Sequence, residues 1–100
     1  MSSILHLTVV TPEKVLFEGD VNYIYAPGGA GFFGVCPDHA PMLASLQPGI
    51  FEIRPVAGDP IKFKTKCFGF FEVVKNNASI LLDAADTKSW LNALPLKPLP

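Results

Sequence analysis

The sequence has few charged residues, only two cysteines and no long apolar run. Of its 100 residues 17% are charged, and eight basic against nine acidic side chains leave a formal net charge of −1. Proteins that bind nucleic acid carry clustered lysine and arginine, so this balance argues against a nucleic-acid partner. Since no apolar stretch approaches the roughly 18 residues of a spanning helix, we also expect no direct insertion into a membrane.

The two cysteines, Cys36 and Cys67, do not predict a metal site. They form no Cys-x-x-Cys pair, which is the spacing typical of zinc sites. The first residues lack the basic and apolar regions of a signal peptide, so we expect a cytosolic or equivalent compartment that keeps thiols reduced. We therefore expect reduced, buried thiols, with a disulfide between them as the alternative. No cofactor is predicted.

Apolar residues, by contrast, are abundant at 49%, and the mean hydropathy is +0.33. A domain of about 100 residues buries roughly 60–70% of the surface that its unfolded chain exposes. We therefore expect apolar residues to remain at the surface, where they would contact a partner.

Ten prolines and eight glycines separate short segments rich in valine, isoleucine, phenylalanine and tyrosine. Breaks at roughly 8–12-residue spacing are typical of an all-β sandwich or barrel. The alternation is clearest at 61–67, where lysines occupy every second position. We expect nine or ten short strands, with separate strands at 15–17 and 21–26 on either side of Gly19.

After Asp83 the residue pattern changes from one typical of strands to one typical of a short helix. Residues 84–94 predict one or two helical turns with Trp90, Leu91 and Leu94 as an apolar stripe, and Pro95 ends any helix. We therefore divide the chain into a β-sandwich domain at 1–84 and a short proline-rich tail, helical or irregular, at 85–100.

Two motifs suggest chemistry but do not predict an active site. Residues 29–34 spell Gly-x-Gly-x-x-Gly, yet dinucleotide binding needs a helix next, and Pro37 and Pro41 preclude one. Asp38 and His39 lie near Cys36, but neighbouring side chains point apart, so we expect His39 to be a hydrogen-bonding element of a turn or interface. The carboxylates are scattered. No catalytic residue is predicted, and a nucleotide-binding enzyme built on 29–34 remains an alternative.

Adjacent aromatic residues occur twice, at Phe32 with Phe33 and at Phe70 with Phe71. Neighbours on a strand point to opposite faces, so both members of a pair cannot enter one core. Each pair is either a core residue with a chance exposed neighbour or part of an apolar contact patch for a partner.

Six segments resemble, in order and spacing, the epsilon subunit of bacterial and chloroplast rotary ATP synthases, which is called delta in mitochondria. They read LTVVTPE, LFEG, GFFGVCPDHAPML, LQPG, GFFEV and ILLD. The stretch from Pro37 to Pro41 is the most specific. The resemblance covers residues 4 to about 88.

This resemblance implies a flattened ten-stranded β-sandwich and a role without catalysis of its own. Members of the family sit in the central stalk, bound to the gamma subunit and resting on the membrane c-ring, and help couple ion translocation to ATP synthesis. The resemblance also implies a peripheral location on the cytoplasmic face of the bacterial inner membrane or its organelle equivalent. The alternative function is a free-standing β-sandwich module that binds a ligand with the same aromatic residues.

The resemblance further implies which residues contact partners. The ring-facing segment corresponds to 31–43, so we expect ring contact from Phe32, Gly34, Asp38, His39 and Met42. We assign the pair Phe70 and Phe71 to the gamma subunit.

Two departures from the family change these expectations. Many relatives have an acidic residue where this chain has Phe32, so we expect an apolar ring contact. Relatives usually continue into a C-terminal helical hairpin, whereas this sequence ends at Pro100. We therefore expect neither the inhibitory nor the ATP-sensing function of that hairpin.

Overall fold

A computed structural model describes residues 4–66 and 68–83, and in that part the chain is all β, as predicted. No helix in these two ranges is long and apolar enough to cross a membrane. The predicted helical turns at 84–94 and the thiol of Cys67 lie outside the described residues. The strands are β1 (Leu5–Val10), β2 (Val15–Gly28), β3 (Gly31–Val35), β4 (Met42–Leu46), β5 (Gly49–Pro55), β6 (Ile61–Thr65), β7 (Gly69–Val74) and β8 (Asn77–Leu82).

The strands form a flattened sandwich, 38 × 31 × 23 Å, whose two layers share β2. The first half of β2 pairs with β1, which is followed by β8, β7 and β4. The second half pairs with β3 on one side and with β5 and then β6 on the other. A register shift between Val21 and Tyr23 interrupts β2, and such bulges let one strand pass from one sheet to another.

The eight strands of the described residues are fewer than predicted, because the segments at 15–17 and 21–26 belong to the single strand β2. Gly19 lies opposite Leu7 and Asp20 opposite His6, so pairing with β1 continues through the expected break. A glycine ends a strand only when the backbone turns there. Gly19 instead stays extended against its neighbour.

The alternation predicted for 61–67 is confirmed over 61–66, and Cys67 lies outside the described residues. Every second residue of β6 is buried, and Lys62, Lys64 and Lys66 are exposed. Phe63 stacks on Phe51 of β5 with ring centroids 4.9 Å apart. The core between the layers consists of Leu5, Leu7, Val9, Val21, Ile24, Ala26, Val35, Leu46, Phe51, Ile53, Ile61, Phe63, Phe71, Val73, Ala78, Ile80 and Leu82.

The turn between β7 and β8 places two residues in the left-handed region. Lys75 has φ 49° and Asn76 has φ 64°, as in the two-residue turns that match the twist of a hairpin. The turn joins β7 and β8 into a hairpin and places the Asn76 side chain within hydrogen-bond distance of Asp38.

The expectation of a buried thiol is wrong for Cys36, which is free and exposed. Val35, the last residue of β3, is buried. Because successive side chains of an extended chain point to opposite faces, the next side chain points outward.

Candidate functional site: the segment 31–43

The segment 31–43 is a strand, a loop and the beginning of a second strand. Residues 31–35 form β3, residues 42–43 begin β4, and only 36–41 lie outside strands. Pro37 and Pro41 fix φ near both ends of this loop. The predicted ring contacts are therefore divided between the loop and the two strands.

Asp38 fastens the loop to the β7–β8 turn. Its backbone N–H donates to Asn76 Oδ1 at 2.7 Å, and Asn76 Nδ2–H donates to Asp38 Oδ1 at 3.0 Å. Asp38 also has φ 67°, a conformation that aspartate and asparagine tolerate better than other side chains. We call this reciprocal pair the Asp38–Asn76 clamp. Asn76 in turn accepts at its carbonyl from His6 N–H at 2.8 Å, which ties the loop to β1.

His39 is a hydrogen-bonding element of the same loop. Its Nδ1–H donates to the Ala40 carbonyl at 2.7 Å, while Asp38 bonds to Asn76 instead. The two neighbours therefore do not form the acid–base pair that catalysis would require, in agreement with the sequence.

Phe32 lies on the outer face of β3 rather than in the core. Its side chain is 57% exposed, and it stacks on Tyr25 of β2 with centroids 5.2 Å apart and planes 12° from parallel. Phe33, the next residue, packs against the core and tilts against Phe71 at 5.4 Å. The pair thus divides between the two faces, as predicted, and leaves an apolar ring at the surface.

Gly34 lies on the same outer face as Phe32, beneath the ring of Tyr23. A Cβ at this position would meet the Tyr23 hydroxyl. The guanidinium of Arg54 lies 4.7 Å from the centroid of that ring, and Arg54 Nε–H donates to Glu52 Oε2 at 2.9 Å. The carboxylate of Glu52 raises the pKa of Arg54, which keeps this charge fixed beside the ring. The absence of a side chain at Gly34 leaves room for the Tyr23 ring.

Met42 is half-buried and packs against the core, whereas its neighbour Leu43 is 74% exposed. Together with Phe33 and Ala44, Met42 lines a groove of about 400 Å³ beside the β2–β3 turn. Of the two adjacent residues Leu43 offers the larger surface to a partner, although only Met42 is among the predicted contacts.

Phe70 and Phe71 also divide between the faces of their strand. Phe71 is fully buried, whereas Phe70 is 57% exposed. In the described fold only Phe70 presents surface to a partner, because alternation along β7 directs Phe71 into the core.

The glycine-rich motif at 29–34 consists of a two-residue hairpin turn at 29–30 and the first four residues of β3. Gly28 lies opposite Gly31, and the next element is β3 rather than a helix. Gly31, the residue after the turn, has φ 130°, a backbone conformation that glycine adopts more readily than other residues. The helix N-terminus that would hold a pyrophosphate does not follow this motif.

Two interactions near the site were missed from the sequence. His6 bridges Asp20 Oδ1 and Glu18 Oε2 through its two ring nitrogens, each at 3.0 Å. The hydrogen bonds to Asp20 and then Glu18 raise the pKa of His6 above 6.5. The only signal was that Glu18 and Asp20 share one face of a strand. No local sequence pattern indicated the role of Asn76, because its partner Asp38 is 38 residues away.

A second groove lies where β1, β4 and β8 end and β7 begins. Its volume is about 450 Å³, and it is lined mainly by apolar side chains, among them Val10, Phe68, Phe70 and Leu81. The hydroxyl oxygen of Thr11, at its edge, accepts from the N–H groups of residues 13 and 14. The groove is therefore suited to an apolar group.

Comparison with known proteins gives consistent results. Residues 4–88 match the family described as "ATP synthase, Delta/Epsilon chain, beta-sandwich domain". The ATP synthase epsilon chain of Leptospira interrogans serovar copenhageni is 44% identical over 79 residues, which are 79% of this chain and 61% of the relative. That of a Nitratiruptor species is 40% identical over 81 residues, 81% of this chain and 62% of the relative. The chain therefore spans about 61% of the length of these curated relatives.

Solved structures show the same fold. A chain of the Euglena gracilis mitochondrial ATP synthase superimposes with a TM-score of 0.74 at 21% identity, covering 82% of this chain and 52% of that one. A chain of the Tetrahymena thermophila mitochondrial ATP synthase central stalk and c-ring gives a TM-score of 0.64 at 22% identity, covering 79% and 63%. With the match over residues 4–88, the chain belongs to the ATP synthase delta/epsilon chain family and contains its β-sandwich domain.

Proposed function

We propose that this protein is a non-catalytic central-stalk subunit of a rotary ATP synthase. In this role it links the gamma subunit to the membrane c-ring and helps couple ion translocation to ATP synthesis. The match of residues 4–88 to the family carries the proposal. The proposed location is peripheral, at the cytoplasmic face of a bacterial inner membrane or its organelle equivalent. Within the chain, residues 1–84 form the functional domain and 85–100 a short tail.

The proposed ring contact has two parts, an apolar face and a stiff loop. Phe32 supplies the face, since more than half of its side chain is free of protein contacts while stacking on Tyr25 holds its ring. Asp38 and His39 supply the loop, with Gly34 and Met42 as supporting positions. Of the predicted gamma contacts, Phe70 is the member with exposed surface.

The loop is built to hold its shape. Pro37 and Pro41 restrict its backbone, and the Asp38–Asn76 clamp fixes its middle to a neighbouring hairpin. A contact that transmits torque loses less energy to deformation when it is rigid, and preorganisation also lowers the entropy cost of binding.

Reconstitution tests the function as a whole. Co-elution of this protein with the gamma subunit of a relative is measured first. ATP-driven proton pumping is then measured in sealed vesicles that hold the relative's whole ATP synthase, depleted of its own epsilon chain, with and without this protein. We expect the protein to co-elute with gamma and to increase pumping. Failure to bind gamma would rule out the central-stalk role.

A substitution at Phe32 tests the apolar ring contact separately. Phe32→Glu removes an exposed ring, so we expect the fold to persist and the c-ring affinity to fall about tenfold, as for loss of one well-packed aromatic contact. Phe68→Glu is the matched control, because Phe68 is also exposed (62%) but lies in the groove of β1, β4, β7 and β8. An equal loss in both variants would contradict a specific role for Phe32.

The 450 Å³ groove favours one second candidate, a free-standing ligand-binding module. Ligand pockets usually combine an apolar lining with a few polar groups aimed at the ligand, whereas the Thr11 hydroxyl is directed to its own turn. Titration with a fluorescent fatty acid tests this candidate. Saturable binding by the isolated protein, abolished by Leu81→Lys, would support it over the rotor role.

A further inference from the structure

The three lysines of β6 and its end form a row of like charges. Lys62 and Lys64 point outward from β6, and Lys66 continues the alternation directly after the strand. Since two residues of a strand span about 6.8 Å, the row is about 14 Å long. Among residues 4–66 and 68–83, no ion pair includes any of these lysines. Their charges are therefore available to a partner.

Strand pairing places apolar side chains beside this row. Lys64 lies opposite Ile50 of β5, and 49% of Ile50 is exposed. Lys62 lies opposite Glu52 of β5, which in turn lies opposite the exposed Tyr25 of β2. Directly opposed residues of antiparallel strands share one face of the sheet. The outer face of β5 and β6 therefore combines lysines with an aliphatic side chain and borders on an aromatic one.

This face is positive although the whole chain has a formal net charge of −1. Its further basic residue, Arg54, donates to Glu52 Oε2 at 2.9 Å, so these two charges compensate each other. Asp59 lies in the loop before β6, and a single carboxylate cannot balance three lysines. The exposed Glu18 and Asp20 are bound to His6 on β1 and β2 instead. The described charges are thus separated, with the lysine row as the positive side.

The composition of the face favours a lipid surface over an acidic protein. Lysine is depleted in protein–protein interfaces, where arginine is enriched. Lysine rows are attracted by anionic lipids, and their long apolar stems cover apolar surface while the ammonium groups stay at the headgroups. Lysines on edge strands also deter edge-to-edge pairing, and β6 is the last strand of its sheet in the described part of the chain. That protective role makes no use of an exposed isoleucine beside the row.

We propose that the outer face of β5 and β6 binds an anionic phospholipid surface through Lys62, Lys64 and Lys66, with Ile50 beside them at the headgroup boundary. The ammonium groups pair with lipid phosphates, and the contact is peripheral, without insertion of the chain. It goes beyond the central-stalk role and needs neither the gamma subunit nor the c-ring. A test on lipid vesicles alone therefore leaves the proposed function untouched if it fails.

Vesicle flotation tests the proposal. The protein is mixed with vesicles of phosphatidylcholine and phosphatidylglycerol, or of phosphatidylcholine alone, and its partition coefficient is measured. We expect binding to the anionic vesicles that weakens as salt is added. Lys62→Gln with Lys64→Gln should lower the partition coefficient about 25-fold, which is about fivefold for each lysine. Lys14→Gln with Lys75→Gln is the matched control, because it removes the same charge from exposed positions outside β5 and β6, and it should change binding little.

A second variant protects the test against a folding defect. If the β6 variant loses its β-sheet circular dichroism, Lys66→Gln replaces it, because Lys66 follows the strand, and a fivefold loss of binding is then expected. Equal binding to the two kinds of vesicle, or equal losses in the face and control variants, would overturn the proposal. Tighter binding to polyglutamate than to anionic vesicles at the same charge concentration would assign the row to an acidic protein. Aggregation of the β6 variant, together with indifference of the unaltered protein to vesicles, would leave the lysines as edge protection. Either result would also overturn the proposal.

Discussion

The ring of His6 lies between the carboxylates of Asp20 and Glu18 on the outer face of β1 and β2. Hydrogen bonds to Asp20 and Glu18 raise its pKa above 6.5, so the folded chain binds this proton more tightly than the unfolded chain. The stabilisation is fully present below pH 6.5 and is lost as the pH rises through the higher folded pKa. We expect His6→Gln to lower the urea midpoint at about pH 6 and to have little effect at about pH 9.

The carboxylate partners provide the control for this pH dependence. Glu18→Gln with Asp20→Asn removes the charges that hold the proton, so the His6 titration followed by NMR should move down towards 6.5. High salt should have a smaller effect in the same direction, because these side chains are exposed and screened. An unchanged His6 titration in the double variant would contradict the assigned cause.

Asn76 allows a similar test of the clamp. Asn76→Gly removes both side-chain hydrogen bonds to Asp38 but tolerates the positive φ of the turn. One hydrogen bond contributes about 0.5–1.5 kcal/mol, so exchange of the Asp38 amide should accelerate about two- to tenfold, measured by NMR. Lys75→Gly alters the same turn and keeps the clamp. Equal acceleration in the two glycine variants would show that the turn, rather than the clamp, orders the loop.

These two residues mark what the sequence could not predict at this scale. The prolines and the His39 turn role were visible locally. Asn76 and His6 acquire their partners only through strand pairing, across 38 and at least 12 residues. No local pattern records which strands meet, so such contacts require the fold.

At the scale of elements, β5 combines a buried and an exposed apolar residue side by side. Phe51 is fully buried and stacks on Phe63, whereas Ile50 is 49% exposed. Phe51→Ala leaves a cavity between the layers and should reduce the free energy of unfolding by about 3–5 kcal/mol. Ile50→Ala, measured in the same urea titrations, should cost less than about 1 kcal/mol. Similar costs would contradict the assigned faces of β5.

Strand positions were predictable where apolar and polar residues alternate strictly, as in β6. They were not predictable at Gly19, because glycine is found both in turns and in strands. Pairing with β1 places Gly19 in a strand rather than a turn. The residues around Gly19 do not show that β1 will be the partner. The same alternation explains why Phe71 and Met42, predicted contacts from their position in the sequence, face inward.

At the scale of the whole molecule, the exposed apolar residues expected from the composition are present in the described part of the chain, but they form separate patches. One part surrounds Phe32 and Tyr25 on the outer face of β2 and β3. Another is the groove at Phe68, Phe70 and Leu81, and Leu43 is exposed on β4. The composition predicted the surplus and the resemblance predicted the family. Neither placed the groove beside the end of β8, because its position depends on the antiparallel pairing of the start of β7 with the end of β8.

This surplus predicts weak self-association of the isolated protein. The pI is near 6.0, and a net charge close to zero promotes association. We expect the weight-average mass from sedimentation to rise with concentration at about pH 6. Phe32→Glu with Leu43→Glu removes two exposed apolar side chains and adds two negative charges, so this variant should remain monomeric. Asn22→Glu with Gln47→Glu adds the same charge on exposed polar positions and should associate more than the first variant. If the two double variants behave alike, charge rather than apolar surface governs the association.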